Sequence, residues 1–270
     1  MKKRKFLCAV MVWMMLVLVP VSLFAGGKKE AKAAQSANPP LTILVAAAAS
    51  LEYSFAQELI PMFQEKYPWI TVEGTYDSSG KLQTQIEQGL EADVFMSAAT
   101  RQMNALADQG LVAKDSILPL LENKIVLIKP AGISTGVSGF ENAAGAKVIA
   151  LGDPASVPAG QYAKEAFTSL GIWAEVEAKA SFGTNVTEVL NWVGEGSAEV
   201  GVVYATDAAT TGKVEVLAEA PAGTLSARVI YPVGIVAASV HQAEAALFVD
   251  FLASDEALAV FKAYGFAAAR

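Results

Sequence analysis

From residue 41 onward the chain alternates between two hydrophobic rhythms. Short β-rich runs fall at 42–47, 71–76, 93–96, 125–128, 147–151, 200–204 and 229–236. Between them, apolar residues return at helical spacing: Leu51, Phe55, Leu59 and Phe63 form one such set, and Leu82, Ile86 and Leu90 another. Each set lies along one helix face and predicts a helix packed on a core. Strands alternating with amphipathic helices predict an α/β architecture with mainly parallel sheets. Prolines accompany two of the β runs, at Pro130 after Ile125 and at Pro232 after Ile230 and Tyr231, in a way that suggests chain crossings. The hydrophobic pattern alone leaves open whether residues 41–270 form one domain or two lobes. At 230 residues the segment can bury a large core either way.

The first 40 residues follow neither rhythm. Lys2, Lys3, Arg4 and Lys5 precede an almost purely apolar stretch from Phe6 to Ala25, the order of charge and apolarity found in a secretory signal. The stretch is long enough to span a bilayer, but Pro20 interrupts it and it ends on small residues. Cleavage after Ala25 is therefore the preferred reading, and a retained anchor the alternative. Residues 26–40, GGKKEAKAAQSANPP, read as a flexible, solvated linker closed by a proline pair.

Composition narrows the chemistry. The single cysteine, Cys8, lies inside the apolar stretch, too early for a lipid-attachment site, so a mature chain starting at residue 26 has no thiol for a disulfide, a metal or catalysis. The single histidine, His241, sits in a polar lead-in to an apolar helix and reads as a surface residue, which leaves little material for a histidine metal cluster or a Ser-His-Asp triad. Removing residues 1–25 takes away four basic and no acidic residues, which moves the formal charge from −7 to −11. A chain this acidic is a poor partner for nucleic acid. It can still hold a small anion, because charges beyond about 8 Å are screened at physiological salt and local donors decide.

Four places could supply such donors. Each has a strand end, then small or hydroxyl residues, then a helix: Ala46 to Ser50, Asp77 to Gly80, Gly152 to Gly160, and Phe182 to Val186. Helix N-termini expose unpaired backbone N–H groups and carry partial positive charge, so they bind anions without a formal cation. Ala48, Ala49, Gly80, Ala159 and Gly160 would let the backbone approach a ligand closely. Taken singly, Ser50 and Ser79 could be ordinary helix caps. Four such turns at strand ends point to a ligand site, where open α/β sheets bind theirs.

Several of these stretches resemble one known family. AAAS at 47–50, the serine pair with LxxQIExG over 78–89, ADVFxSA at 92–98, GDPxxVPAGxYAxEA at 152–166 and VYATDA at 203–208 are similar to the periplasmic molybdate-binding proteins of ATP-binding cassette transporters. The resemblance covers essentially residues 41–270. It implies a two-lobed, type II periplasmic binding fold with a ligand cleft between the lobes: lobe 1 from 41–122 and 231–270, lobe 2 from 123–230. It also implies an oxyanion ligand, molybdate or tungstate, held by Ser50, Ser79 and Tyr204 through hydroxyls and by Ala159 and Val186 through backbone amides. The metal of such an ion has no direct protein ligand, and no separate cofactor is expected. The implied partner is the membrane permease of an ABC transporter, the implied location extracytoplasmic, with a membrane tether left open, and the chain is expected to be a monomer.

All five proposed contacts can donate a hydrogen bond and none is a carboxylate, which suits a fully ionised dianion that only accepts. Three positions depart from the family pattern. Asp77 stands where a small neutral residue is expected, Lys81 where a small hydroxyl residue is expected, and Ala99 replaces an acid. Asp77 and Lys81 are expected to pair on the rim. The rival ligands are sulfate and phosphate. An enzyme on the same scaffold is a weaker rival, because the only acids near the four turns are isolated: Asp77, Asp153 as a turn former and Asp207 as a helix cap. A ligand-sensing regulator is weaker still, since the chain has no added DNA-binding segment.

Overall fold

The two rhythms resolve into two sheets in the computed structural model, which describes residues 38–269. The expected signal segment, Cys8 and most of the expected linker lie outside the described residues. β1 (Leu41–Ala48) leads into a helical stretch over residues 49–66, then β2 (Ile70–Asp77), α3 (Ser79–Glu87), β3 (Val94–Met96) and α4 (Thr100–Asp108). The helical stretch is not one uniform helix. It opens as a 3-10 turn, Ala49–Leu51, continues through α1 (Glu52–Ser54) and a π turn, Phe55–Leu59, and ends as α2 (Ile60–Lys66). β4 (Leu118–Asn123) and β5 (Ile125–Pro130) follow, separated only by Lys124. Next come β6 (Ile149–Gly152), α5 (Pro158–Ser169), α6 (Trp173–Glu177), β7 (Ala180–Gly183), α7 (Val186–Gly194), β8 (Val200–Tyr204), α8 (Ala205–Ala209) and β9 (Val214–Glu219). The chain closes with β10 (Val229–Ile235), α9 (Gln242–Leu252), α10 (Asp255–Ala263) and β11 (Ala267–Ala268).

One sheet has the order β11-β4-β10-β3-β1-β2 and the other β7-β6-β8-β5-β9. The chain therefore leaves the first sheet at Lys124 and returns to it after β9. The two sheets are the two α/β lobes that the resemblance implies. The expectation of mainly parallel sheets needs correction, because both sheets are mixed. β1 pairs in parallel with β2 and β3, and β6 with β7 and β8, where helices carry the chain across. β4, β5, β9, β10 and β11 pair antiparallel. β4 passes into β5 through Lys124 alone, so the chain enters the second sheet without a crossover helix.

Burial follows the period of two along β1. Ile43, Val45 and Ala47 join a core with Phe55, Phe63, Phe248 and Phe261, whereas Ala46 faces the other way onto Leu82, Ile86, Phe95 and Met103. A strand covered on both faces reads as a continuous apolar run, which is why β1 was legible. Phe63 meets Phe248 edge to face at 4.9 Å, and each buried ring or branched aliphatic side chain contributes about 1.5–3 kcal/mol.

Register then sets the site. Ala48 lies level with Asp77 at the ends of β1 and β2, and Gly152 lies level with Gly183 at the ends of β6 and β7. The turns that follow these strands therefore emerge side by side, at the carboxyl ends of the parallel strands of each sheet.

Candidate functional site

The turns of both sheets converge on one small cavity of about 10 Å³. Ser50, Ser79, Ala159, Val186 and Tyr204 all line it, together with Ala48, Ala49, Asp77, Ser78, Ala98, Val157 and Pro158. All five positions singled out in the sequence are thus brought together from five separate segments.

On the side of the first sheet the donors are hydroxyls, and none of the serines serves as a cap. Ser50 sits in the 3-10 turn and its Oγ lies 3.0 Å from the Tyr231 hydroxyl. Ser79 opens α3, and its Oγ accepts from the backbone N–H of Ala98 at 2.9 Å. Because that N–H can only donate, the Ser79 proton is free to point into the cavity. Ser78 occupies the N-cap of α3 but makes no capping bond there, and its buried Oγ has no hydrogen-bond partner. A buried hydroxyl without a partner is costly, and this one lines the cavity. Sequence reasoning missed Ser78 as a separate donor. The signal was present in the serine doublet, of which only the second member was singled out.

On the side of the second sheet the donors are helix N-termini. Ala159 is the second residue of α5, behind Pro158 at a position where a missing N–H costs the helix nothing. Its own N–H has no acceptor within the helix by position. Gly160 makes this turn possible: a Cβ there would collide with the carbonyl oxygen of Gly152. Val186 is the first residue of α7, capped by Asn185, whose side chain accepts from the Glu188 N–H at 3.0 Å. The cap satisfies the third residue of the helix and leaves the first free to face a ligand.

Tyr204 ends β8 and is fully buried. Its hydroxyl reaches the Ala98 carbonyl oxygen at a long 3.4 Å, so a closer acceptor in the cavity could take the proton. Burial above all, and then the nearby Tyr231, Tyr162 and Asp207, push the phenol well above its ordinary value. It therefore stays protonated and can donate. Asp207 is not the helix N-cap expected from the sequence: Tyr204 is the N-cap of α8, and Asp207, the third residue of that helix, accepts from the Tyr204 backbone N–H through Oδ2 at 3.1 Å. Burial pushes its carboxyl up to about 7, against the lowering effect of that backbone bond.

Asp77 and Lys81 form the expected pair, with Lys81 Nζ at 3.2 and 3.3 Å from the two carboxylate oxygens. Asp77 Oδ1 also accepts from the Ser78 N–H at 2.7 Å and from Asn185 Nδ2 at 3.3 Å. The carboxylate reaches the cavity wall, but its acceptor capacity is largely spent on these donors. Asp153 forms its expected turn, accepting from the Ala155 N–H at 2.9 Å. His241 lies just before α9, partly exposed, and donates its backbone N–H to Ser239 Oγ.

Chemistry, rather than size, makes this cavity the candidate site. A wider cleft lies elsewhere, lined by Leu44, Leu90, Leu111, Val236, Glu87 and Glu91. Its apolar wall and carboxylates suit no anion. The small cavity presents hydroxyl and amide donors to one point, with its one carboxylate already paired.

Residues 43–267 match the family described as bacterial extracellular solute-binding protein. A Bacillus subtilis protein, provisionally named as an ABC transporter substrate-binding lipoprotein, is 40% identical over 246 residues, covering 91% of this chain and 94% of that protein. The molybdate-binding protein ModA of Haemophilus influenzae is 35% identical over 231 residues, covering 84% and 90% of the two chains. The solved periplasmic molybdate-binding protein of Azotobacter vinelandii superposes with a TM-score of 0.72 at 23% identity, over 83% of this chain and 98% of that one. The chain belongs to the bacterial extracellular solute-binding protein family, together with these molybdate-binding relatives.

Proposed function

We propose that the protein captures molybdate or tungstate outside the cytoplasm and delivers it to the permease of an ABC transporter. The observation that carries this reading is the convergence of Ser50, Ser79, Ala159, Val186 and Tyr204 on one cavity whose unpaired groups are donors. A fully ionised tetrahedral anion offers only acceptors, so such a wall satisfies it without a proton of its own. Hydrogen bonds to a charged acceptor contribute about 1.5–3 kcal/mol each, and several in a closed cleft offset the loss of water from the ion. Ser78 joins the five as a sixth donor in this proposal. The lobes that close on the ion are 41–122 with 231–270, and 123–230. The protein acts as a monomer that binds and releases its ligand without chemistry on it, and needs no cofactor. A binding role outside the cytoplasm suits the solute-binding family and the expected export segment.

Sulfate has the same charge and shape but is smaller, so fixed donors placed for a larger tetrahedron cannot all reach it at good distance. Phosphate near neutral pH carries a proton that needs an acceptor. Asp77 is the one carboxylate on the wall, and Lys81, Ser78 and Asn185 already donate to it. The direct test is thermal unfolding of residues 26–270 with and without the ion. A ligand that binds only the folded state adds about 2.7 kcal/mol at a hundredfold excess over its dissociation constant. No rise in melting temperature with millimolar molybdate or tungstate, beyond a chloride control, would refute the reading.

A further inference from the structure

Behind the cavity a chain of hydrogen bonds connects Ser50 to the place where the backbone leaves the first sheet. Asn123 ends β4, and its Oδ1 accepts from the backbone N–H of Lys124 at 2.8 Å. That N–H can only donate, so the amide orientation is fixed and Nδ2 must be the group on the other side. Nδ2 donates to Thr206 Oγ1 at 2.8 Å and to the Tyr231 hydroxyl oxygen at 3.2 Å. Tyr231 is fully buried in β10, and its hydroxyl oxygen already receives the Asn123 proton. Its own proton needs an acceptor, and Ser50 Oγ is 3.0 Å away. If Ser50 donated in that contact instead, the Tyr231 proton would have to turn to the hydroxyl of the neighbouring Tyr204.

We infer that Asn123 and Tyr231 are positioning residues for anion capture: they fix the direction of the hydrogen bonds so that Ser50 accepts from Tyr231 and turns its own proton into the cavity. This inference rests on the proposed anion site and extends it to two residues that do not line the cavity. A serine hydroxyl can donate or accept, so on its own it does not distinguish a bare dianion from a protonated oxyanion. Accepting from Tyr231, it has its own proton left to donate into the cavity. Ser79 is locked by the Ala98 N–H in the same sense, but by backbone rather than by a side chain that mutation can remove. The relay also ties Ser50 to β10 and to the β4 end, the two segments where the chain passes between the sheets.

The test is a double-mutant cycle read by calorimetric titration with molybdate, using Tyr231→Phe, Ser50→Ala and the pair together. Tyr231→Phe keeps the ring that packs edge to face on Tyr204 and Phe266 and removes only the hydroxyl. It should weaken molybdate binding about tenfold. In a Ser50→Ala background it should cost almost nothing further, because its effect passes through Ser50. A competition with inorganic phosphate at pH 7 adds a readout that general damage would not move. With Ser50 Oγ free to accept, the preference for molybdate over phosphate should shrink in Tyr231→Phe, whereas a purely structural defect would lower both affinities alike. Asn123→Ala should repeat both effects more weakly, and serves as the second variant if Tyr231→Phe is poorly folded. Independent, multiplicative losses in the cycle, or an unchanged molybdate-to-phosphate ratio, would overturn the relay while leaving the binding function standing. A wild type that binds no molybdate would refute the functional reading itself, and the relay with it.

Discussion

The two walls of the cavity solve one problem with different chemistry. The first sheet contributes the hydroxyls of Ser50, Ser78 and Ser79, whereas the second contributes the backbone amides of Ala159 and Val186 at the starts of α5 and α7 and a single hydroxyl, that of Tyr204 at the end of β8. A hydroxyl can face either way, so it needs a neighbour to fix its proton, as the Ala98 N–H does for Ser79. A backbone N–H is a donor by construction. Its requirement is steric: the chain must come close, and only small residues permit that. The two kinds of donor should therefore fail differently: a lost hydroxyl removes its own hydrogen bonds, whereas a crowded amide turn loses its packing.

The largest effect is expected at Gly160. Its Cβ would run into the Gly152 carbonyl oxygen, so Gly160→Ala must displace the start of α5 and with it the Ala159 amide. Such overpacking costs about 1–3 kcal/mol of stability, and molybdate binding should become undetectable by titration at micromolar protein. An intact melting temperature with near-native affinity would contradict the close-packing account.

Single donors come next. Tyr204→Phe removes one phenol and should lower affinity by about 1.5–3 kcal/mol with little loss of stability. Ser79→Ala should lose a similar amount of binding and also destabilise the free protein, by about 1–3 kcal/mol, since it leaves the buried Ala98 N–H without an acceptor. Calorimetry and thermal unfolding on the same samples separate the two quantities. Equal stability losses in both variants would erase the contrast between a hydroxyl that serves the cavity and one that also holds the backbone.

The smallest effect on affinity, but a distinct one on stability, is expected from Asp207. Its carboxyl titrates near 7 in the folded protein, against about 3.8 when exposed. Between those values the folded state holds a proton that the unfolded state has lost, so this group makes stability fall as pH rises from about 4 to about 7. Above pH 7 the loss is complete, and below about 4 it is absent. Asp207→Asn keeps an oxygen for the Tyr204 N–H and removes the titration. Relative to wild type the variant should gain stability at pH 8 compared with pH 5, measured by denaturant unfolding. An identical pH dependence in both proteins would show that Asp207 is solvated and titrates normally.

Much of this was legible in the sequence because the informative residues lie where local and tertiary requirements coincide. β1 and β8 are buried strands with almost purely apolar side chains, and the turns after them carry the small and hydroxyl residues that the site needs. What escaped notice was of two kinds. β7, β9 and β11 are strands at the edges of their sheets, and Val216 in β9 is exposed, so no strong apolar alternation marks them. β4 contains Pro119 and ends on Asn123, which obscures its strand character. The second kind is relational: nothing in the chain says that Asn123, Tyr231 and Ser50 meet, because 108 and 181 residues separate the bonded pairs. The serine doublet was visible, but only the packed structure shows that the Ser79 hydroxyl accepts from the Ala98 N–H while the Ser78 hydroxyl has no partner.

The central claim is that this cavity is a donor-only site for a fully ionised tetrahedral anion of molybdate size. Competition calorimetry at pH 7 with molybdate, tungstate, sulfate and phosphate, on wild type and Asp77→Ala, tests it most directly. The account predicts one site per chain, similar affinities for molybdate and tungstate, much weaker sulfate, and phosphate hardly bound by either protein. Phosphate displacing molybdate at comparable concentration in the wild type, and losing that ability in Asp77→Ala, would contradict the account and make Asp77 an acceptor within the site.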